Sequence, residues 1–227
     1  MIVRFDKVTK EYPDGTKALD AVDLTLEEGE FVFLVGPSGA GKTTLVKMLI
    51  REEKPSSGEV YFRDLVISQL SSRELPGLRR RIGVAFQEFK LLPTKTAWEN
   101  VALALAVAGL SAEDVKKRGF EVLRRVGLGG KEDHFPRQLS GGEKQKLAIA
   151  RALVHGPEIL VADEPTGMID PASTWEVMDL LNKINEAGTT LLVCTHDTEI
   201  VDTLKKRVVA LEKGRVVRDQ KKGKYHD

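Results

Sequence analysis

Gly36-Pro37-Ser38-Gly39-Ala40-Gly41-Lys42-Thr43 forms a complete G-x-x-x-x-G-K-T stretch. The apolar run Phe31-Val32-Phe33-Leu34-Val35 before it reads as a buried strand. Thr44-Leu45-Val46-Lys47-Met48-Leu49-Ile50 after it reads as the first turns of a helix. Strand, glycine loop and helix together are the setting in which this spacing makes a phosphate site. The glycines let the loop curl so that successive backbone N–H groups point inward, and the helix N-terminus adds partial positive charge. In that setting Lys42 reaches β- and γ-phosphates and the Thr43 hydroxyl holds Mg²⁺. The expectation is a site for a nucleoside triphosphate.

The bulk properties narrow the class. At 227 residues the chain fits one domain, or one domain with an inserted subdomain, and can bury a substantial core. Apolar residues make up 41% and charged residues 30%, as in an ordinary soluble protein. A net charge of +1 gives no whole-molecule field to draw in nucleic acid. The single cysteine, Cys194, excludes an intrachain disulfide and a cysteine-based zinc cluster. It lies in Leu191-Leu192-Val193-Cys194, where a buried, inert thiol is expected. The opening Met1-Ile2-Val3-Arg4-Phe5-Asp6 lacks the layout of a signal peptide. The longest apolar run, residues 101–110, is about half the ~20 residues that span a bilayer. The reading is a cytoplasmic protein, with any membrane span supplied by another chain.

Strand-like runs at residues 2–5 and 21–26 come first, with Pro13-Asp14-Gly15 as a turn between them. Residues 58–62 and 81–86 read as further strands beyond the phosphate loop. From Pro93 to about Val154 the pattern becomes helical, most clearly over 98–108 and 113–126. Strand signals return at 159–162, 190–194 and 208–211, with a helical pattern over 173–186 between the first two. Glu212-Lys213-Gly214 joins the last strand to Val216-Val217 as a hairpin. An α/β core interrupted by a helical insertion fits this order. From Lys213 onward six Lys/Arg face two Asp, which reads either as a solvated basic tail or as attraction to an anionic membrane surface.

Two further stretches carry chemistry. Leu139-Ser140-Gly141-Gly142-Glu143 precedes a helix, and Ser140 with Glu143 has capping-box spacing. Gly141 and Gly142 weaken a helix by roughly 1 kcal/mol each against alanine. The stretch is therefore either a well-capped helix or a second anion site that uses bare backbone N–H groups. Ile159-Leu160-Val161-Ala162-Asp163-Glu164 is a buried strand that ends in two carboxylates. Beside a phosphate loop, Asp163 organises Mg²⁺ and Glu164, facing the other way, polarises the attacking water.

At this point the chain resembles an ATP-binding-cassette (ABC) ATPase domain over nearly its whole length. Leu139-Ser140-Gly141-Gly142-Glu143 is similar to the family signature. Gln87 falls at the glutamine loop, His196 at the switch histidine, and Asp170 at the aspartate of the D-loop. Tyr12 falls where the family keeps an aromatic that stacks on adenine. Met168-Ile169 before Asp170 departs from the Asn-Leu common in this branch.

The resemblance implies a P-loop NTPase (RecA-like) core with an N-terminal antiparallel β subdomain and an inserted α-helical subdomain. Residues 1–88 and 155–227 would form the core and 89–154 the helical part. It implies ATP bound by Tyr12, Gly36, Pro37, Ser38, Gly39, Ala40, Gly41, Lys42, Thr43 and Thr44. Mg²⁺ would be held by Thr43, Gln87 and Asp163, and the catalytic group would be Lys42, Gln87, Glu164 and His196. It also implies a head-to-tail homodimer closed by ATP, in which residues 139–143 of one chain meet the nucleotide of the other.

Phe86-Gln87-Glu88-Phe89-Lys90-Leu91-Leu92-Pro93, Thr96-Ala97-Trp98-Glu99-Asn100-Val101-Ala102 and Gly214-Arg215-Val216-Val217-Arg218-Asp219 with Gly223 and Tyr225 narrow the resemblance. They are similar to FtsE-type bacterial cell-division ATPases. That group implies a polytopic FtsX-type membrane partner, control of cell-wall hydrolases and a position at the inner face of the cell membrane. Lipoprotein-releasing and macrolide-export ATPases share much of this surface. A soluble ABC protein of DNA repair or translation is the alternative of another class, although the chain has no long coiled-coil, zinc module or second cassette. Phe89 and Leu91 either pack inside the helical part or line a groove for a partner helix.

Overall fold

A computed structural model describes residues 1–107 and 109–225. The strands are β1 (Val3–Glu11), β2 (Lys17–Leu26), β3 (Phe31–Val35), β4 (Ser57–Phe62), β5 (Leu65–Val66), β6 (Ile82–Ala85), β7 (Ile159–Asp163), β8 (Thr190–Thr195), β9 (Arg207–Glu212) and β10 (Arg215–Gln220). The helices are α1 (Lys42–Leu49), α2 (Leu75–Arg81), α3 (Ala97–Ala106), α4 (Ala112–Arg125), α5 (Gly141–Leu153), α6 (Pro171–Glu186) and α7 (Thr198–Leu204). They fall into two compact units, Met1–Arg79 with Gly188–Asp227, and Arg80–Ala187.

In the first unit, β3 pairs in parallel with β8 on one side and β9 on the other, and β10 returns antiparallel to β9. All residues of β3 and β8 are buried, which explains their unbroken apolar runs. A second, antiparallel sheet has the order β2-β1-β4-β5, with Phe5 opposite Leu24 and Val60. The first two strands run longer than the expected 2–5 and 21–26. Irregular pairing breaks the alternation of β1 and β2, and Lys7 and Ala21 take φ of 46° and 47°. Side chains take up N–H groups displaced there: Lys7 N donates to Asp23 Oδ1 and Ala21 N to Thr9 Oγ1.

In the second unit, β6 and β7 pair in parallel, Ile82 opposite Ile159 and Ala85 opposite Ala162. Helix α5 presses on β6 so closely that a Cβ at Gly83 would lie 2.5 Å from the Ala152 carbonyl. Thr96, Ser111, Ser140 and Asp170 each cap the helix that follows with a side-chain oxygen. Buried Asn100 bonds the Leu92 N–H and the carbonyls of Leu92, Lys95 and Thr96, so it fixes the loop leading into α3. The helices expected over 98–108 and 113–126 are α3 and α4, and Ala108 lies outside the described residues.

Among the described strands and α-helices, β5, α2 and α7 have no counterpart in the sequence expectation. Two residues make no periodic signal in β5. Pro76 and Gly77 obscure α2, and α7 has only seven residues. No helix among the described residues is long and apolar enough to cross a membrane.

Candidate nucleotide and hydrolysis site

In the first unit the phosphate loop leaves the end of β3 and enters α1 at Lys42. Gly36, Gly39 and Gly41 hold φ of 149°, 78° and 108°, a region that side chains rarely adopt. Space demands glycine as well. A Cβ at Gly36 would collide with the Leu211 carbonyl, and one at Gly41 would strike Ala18 O and Leu19 Cδ2. Gly41 caps α1 without a side chain, and no acidic residue stands in its first turn. The N-terminal end of this helix thus keeps its positive character for an anion.

Lys42 is buried, and its ammonium arches back over the loop to the Gly36 carbonyl at 2.7 Å and the Pro37 carbonyl at 3.3 Å. Pro37, Ser38, Gly39 and Thr43 are exposed, and Gly41 and Thr44 half-buried. The β9–β10 turn steadies the far side of the loop. Gly214 N donates to Ala40 O and Gly214 O accepts from Asp20 N.

Tyr12 is half-buried in the turn after β1, where its N–H donates to Thr16 O and the Lys10 ammonium lies 5.0 Å above its ring. A core position for this ring is thereby excluded. His196 stands exposed between β8 and α7, next to Asp197, which caps α7. Cys194 is buried, as expected.

In the second unit, β7 delivers Asp163 with its side chain buried, followed by half-buried Glu164. Glu164 has φ 49°, a left-handed conformation rare for a residue with a side chain, and it redirects the chain at the strand end. The next turn closes with Gly167 N donating to Glu164 O at 3.2 Å. The Gln87 carboxamide lies against Gly167 so closely that a Cβ there would be 2.9 Å from Nε2. Gln87 and the Glu164 turn are therefore brought together.

Asp170 caps α6, accepting from Ser173 N at 3.0 Å, and its carboxyl is held low by hydrogen bonds from Ser173. Met168 is exposed and its carbonyl approaches the start of α5.

Leu139 is buried, and Ser140 caps α5 with the expected capping box. Ser140 Oγ accepts from Glu143 N at 3.2 Å, and Ser140 N donates to Glu143 Oε2 at 2.9 Å. Lys131 pairs with Glu143 and, with the Ser140 N–H, pulls its carboxyl below the usual range. Gly142 has a packing reason that the sequence did not disclose. A Cβ there would sit 2.6 Å from Ser173 Cβ. A Cβ at Gly141 would meet Met168 O at 3.1 Å, a tighter fit than most side chains accept.

Arg151 of α5 lies outside every motif that marks the site in the sequence. Its guanidinium donates to the carbonyls of Lys90 and Phe89, directly after Gln87-Glu88. An arginine beside the buried stripe of Leu147, Ala150 and Leu153 was the available signal. Phe89 and Leu91 are both half-buried, while Leu92 is exposed.

The pattern of the ABC transporter family matches residues 19–167. The chain belongs to the ABC family. Among its relatives, the cell division ATP-binding protein FtsE of Bacillus subtilis is 50% identical over 224 residues, 99% of this chain and 98% of that protein. The protein of the same name from Escherichia coli K12 is 43% identical over 94% of this chain and 96% of its own length. The ATP-binding cassette MJ0796, solved as a dimer in a post-hydrolysis state bound to ADP and Pi, superimposes with a TM-score of 0.89. It is 40% identical and covers 98% of this chain and 99% of its own. The protein is thus an ABC ATPase of P-loop fold, similar over nearly its whole length to FtsE proteins. The phosphate loop described above fits the nucleotide that this family hydrolyses.

Proposed function

We propose that this ATPase is the ATP-driven subunit of a bacterial cell-division complex, working on an FtsX-type polytopic membrane protein. The observation that carries the reading is near-full-length identity to proteins named for cell division, 50% and 43% at almost complete coverage. No described helix is long and apolar enough to cross a bilayer, and in this reading the FtsX-type partner supplies the span. The position is then at the inner face of the cell membrane.

The roles are those that membership of the ABC family implies at the matching positions. The loop amides and Lys42 bind the β- and γ-phosphates, and the Tyr12 ring, at a turn rather than in the core, stacks on adenine. Thr43, Asp163 and Gln87 each carry an oxygen donor of the kind that suits Mg²⁺, which keeps several waters and needs few protein ligands, and these residues would hold it. When bound, Mg²⁺ would neutralise charge on the phosphate oxygens. Glu164 accepts the proton of the attacking water, and His196 donates toward the γ-phosphate. Residues 139–143 contact the nucleotide of a second copy, with Asp170 beside that contact, so ATP closes a head-to-tail dimer. The solved relative MJ0796 is dimeric, which supports this reading. Hydrolysis then opens the dimer and moves the partner.

Co-expression with an FtsX-type protein tests the proposal. Affinity capture of the membrane protein is expected to retain this chain, and Phe89→Asp or Leu91→Asp to release it while leaving ATP binding intact. Failure of the wild-type chain to co-purify would overturn the assignment of the partner.

A further inference from the structure

We propose that Arg151 is a positioning residue for hydrolysis, bracing the loop after Gln87 so that the Gln87 carboxamide stays against the Glu164 turn. This rests on the reading of Gln87 and Glu164 given above. Arg151 lies in α5, the helix that Ser140 caps, and is half-buried. Nη1 donates to Lys90 O at 2.6 Å and Nη2 to Phe89 O at 3.0 Å, 61 and 62 residues away in sequence. A planar guanidinium can fork onto two neighbouring carbonyls, which a single ammonium cannot match in geometry.

The two carbonyls belong to the residues that need such a brace. Phe89 and Lys90 hold φ of 56° and 47°, consecutive left-handed conformations that neither side chain favours. Such a pair persists only where the surroundings over-determine it. Phe89 N donates to Phe86 O, and the Lys90 ammonium sits 3.8 Å above the Phe86 ring. The loop thereby folds back on the residue preceding Gln87. From Gln87 the contact continues to Gly167, whose N–H closes on Glu164 O. A continuous path therefore runs from the helix carrying the signature, through Arg151 and the strained loop, to the carboxylate turn.

The test is a double-mutant cycle on the full-length protein with Arg151→Met, Arg151→Lys and Gln87→Ala, followed by ATPase kinetics and binding of a fluorescent ATP analogue. Arg151→Met should lower kcat by about tenfold or more with KM and nucleotide affinity within about twofold, and Arg151→Lys should recover part of the loss. In the Gln87→Ala background Arg151→Met should cost almost nothing further. If Gln87→Ala itself leaves kcat unchanged, the reading of Gln87 fails. If Gln87→Ala lowers kcat but Arg151→Met does not, or adds its full loss independently, the positioning role is wrong. Should Arg151→Met not fold, Arg151→Lys decides: wild-type kcat in that variant overturns the proposal, and a loss absent from the Gln87→Ala background sustains it.

Discussion

The Lys42 ammonium donates to the Gly36 carbonyl across its own loop at 2.7 Å, so both ends of the phosphate motif are held together by the residue proposed to bind the phosphates. The contact keeps a buried cation partnered, since an unpartnered buried charge is costly. It also keeps the ammonium within the loop rather than in solvent.

Replacement of Lys42 by alanine should therefore weaken ATP affinity by about 1.5–3 kcal/mol, roughly tenfold to more than a hundredfold. Isothermal titration with ATP and ADP checks this. Tyr12→Ala should show a smaller loss, equal for both nucleotides, because stacking is indifferent to the γ-phosphate. Unchanged affinities in Tyr12→Ala would remove the ring from the adenine site.

Glu164→Gln should abolish turnover and leave ATP binding in place, since an amide cannot take the proton from water. The variant should accumulate an ATP-bound dimer. Steady-state hydrolysis and gel filtration with ATP are the measurements. Turnover near wild type, or monomer only, would count against the assigned base.

Gly142→Ala places a methyl group 2.6 Å from Ser173 Cβ. Overpacking of this kind costs about 1–3 kcal/mol, and a lower melting temperature in calorimetry is expected. Ser173→Gly in the same chain should return part of that loss. If Gly142→Ala melts like wild type, the contact between α5 and α6 is looser than described.

Acid should weaken the start of α5 through Glu143. Its carboxyl is lowered by Lys131 first and by the Ser140 N–H second. A group with a depressed folded pKa contributes stability above its unfolded value and loses it as pH falls through the folded one. The contribution is thus complete at neutral pH and fades below the ordinary glutamate range. Thermal melts of wild type and Glu143→Gln should converge as pH falls through that window. Parallel curves at all pH values would show that the carboxylate contributes nothing there.

The parts of the site legible in sequence are those written in one continuous stretch. The glycine loop, the buried strand ending in Asp163-Glu164 and the capping box of Ser140 with Glu143 each depend on neighbours a few residues apart. Their elements stand where the spacing placed them. What stayed hidden depends on distant partners. Arg151 finds Phe89 and Lys90 across more than sixty residues, and the need for glycine at 142 comes from Ser173. The left-handed φ of Phe89, Lys90 and Glu164 are equally invisible, because no glycine marks them. In β1 and β2 the local pattern misled, since irregular pairing broke the alternation while the strands continued.

The hairpin turn at Gly214 ties a late part of the chain to an early one, with its N–H on Ala40 and its carbonyl on Asp20. A backbone amide bonded into the phosphate loop exchanges with solvent only as fast as that contact opens. Gly214 can therefore serve as a native reporter of loop breathing, read by deuterium uptake without any label near the nucleotide. Its exchange should slow when ATP stiffens the loop, although the turn is far from Gly36 in sequence and carries no chemistry of its own.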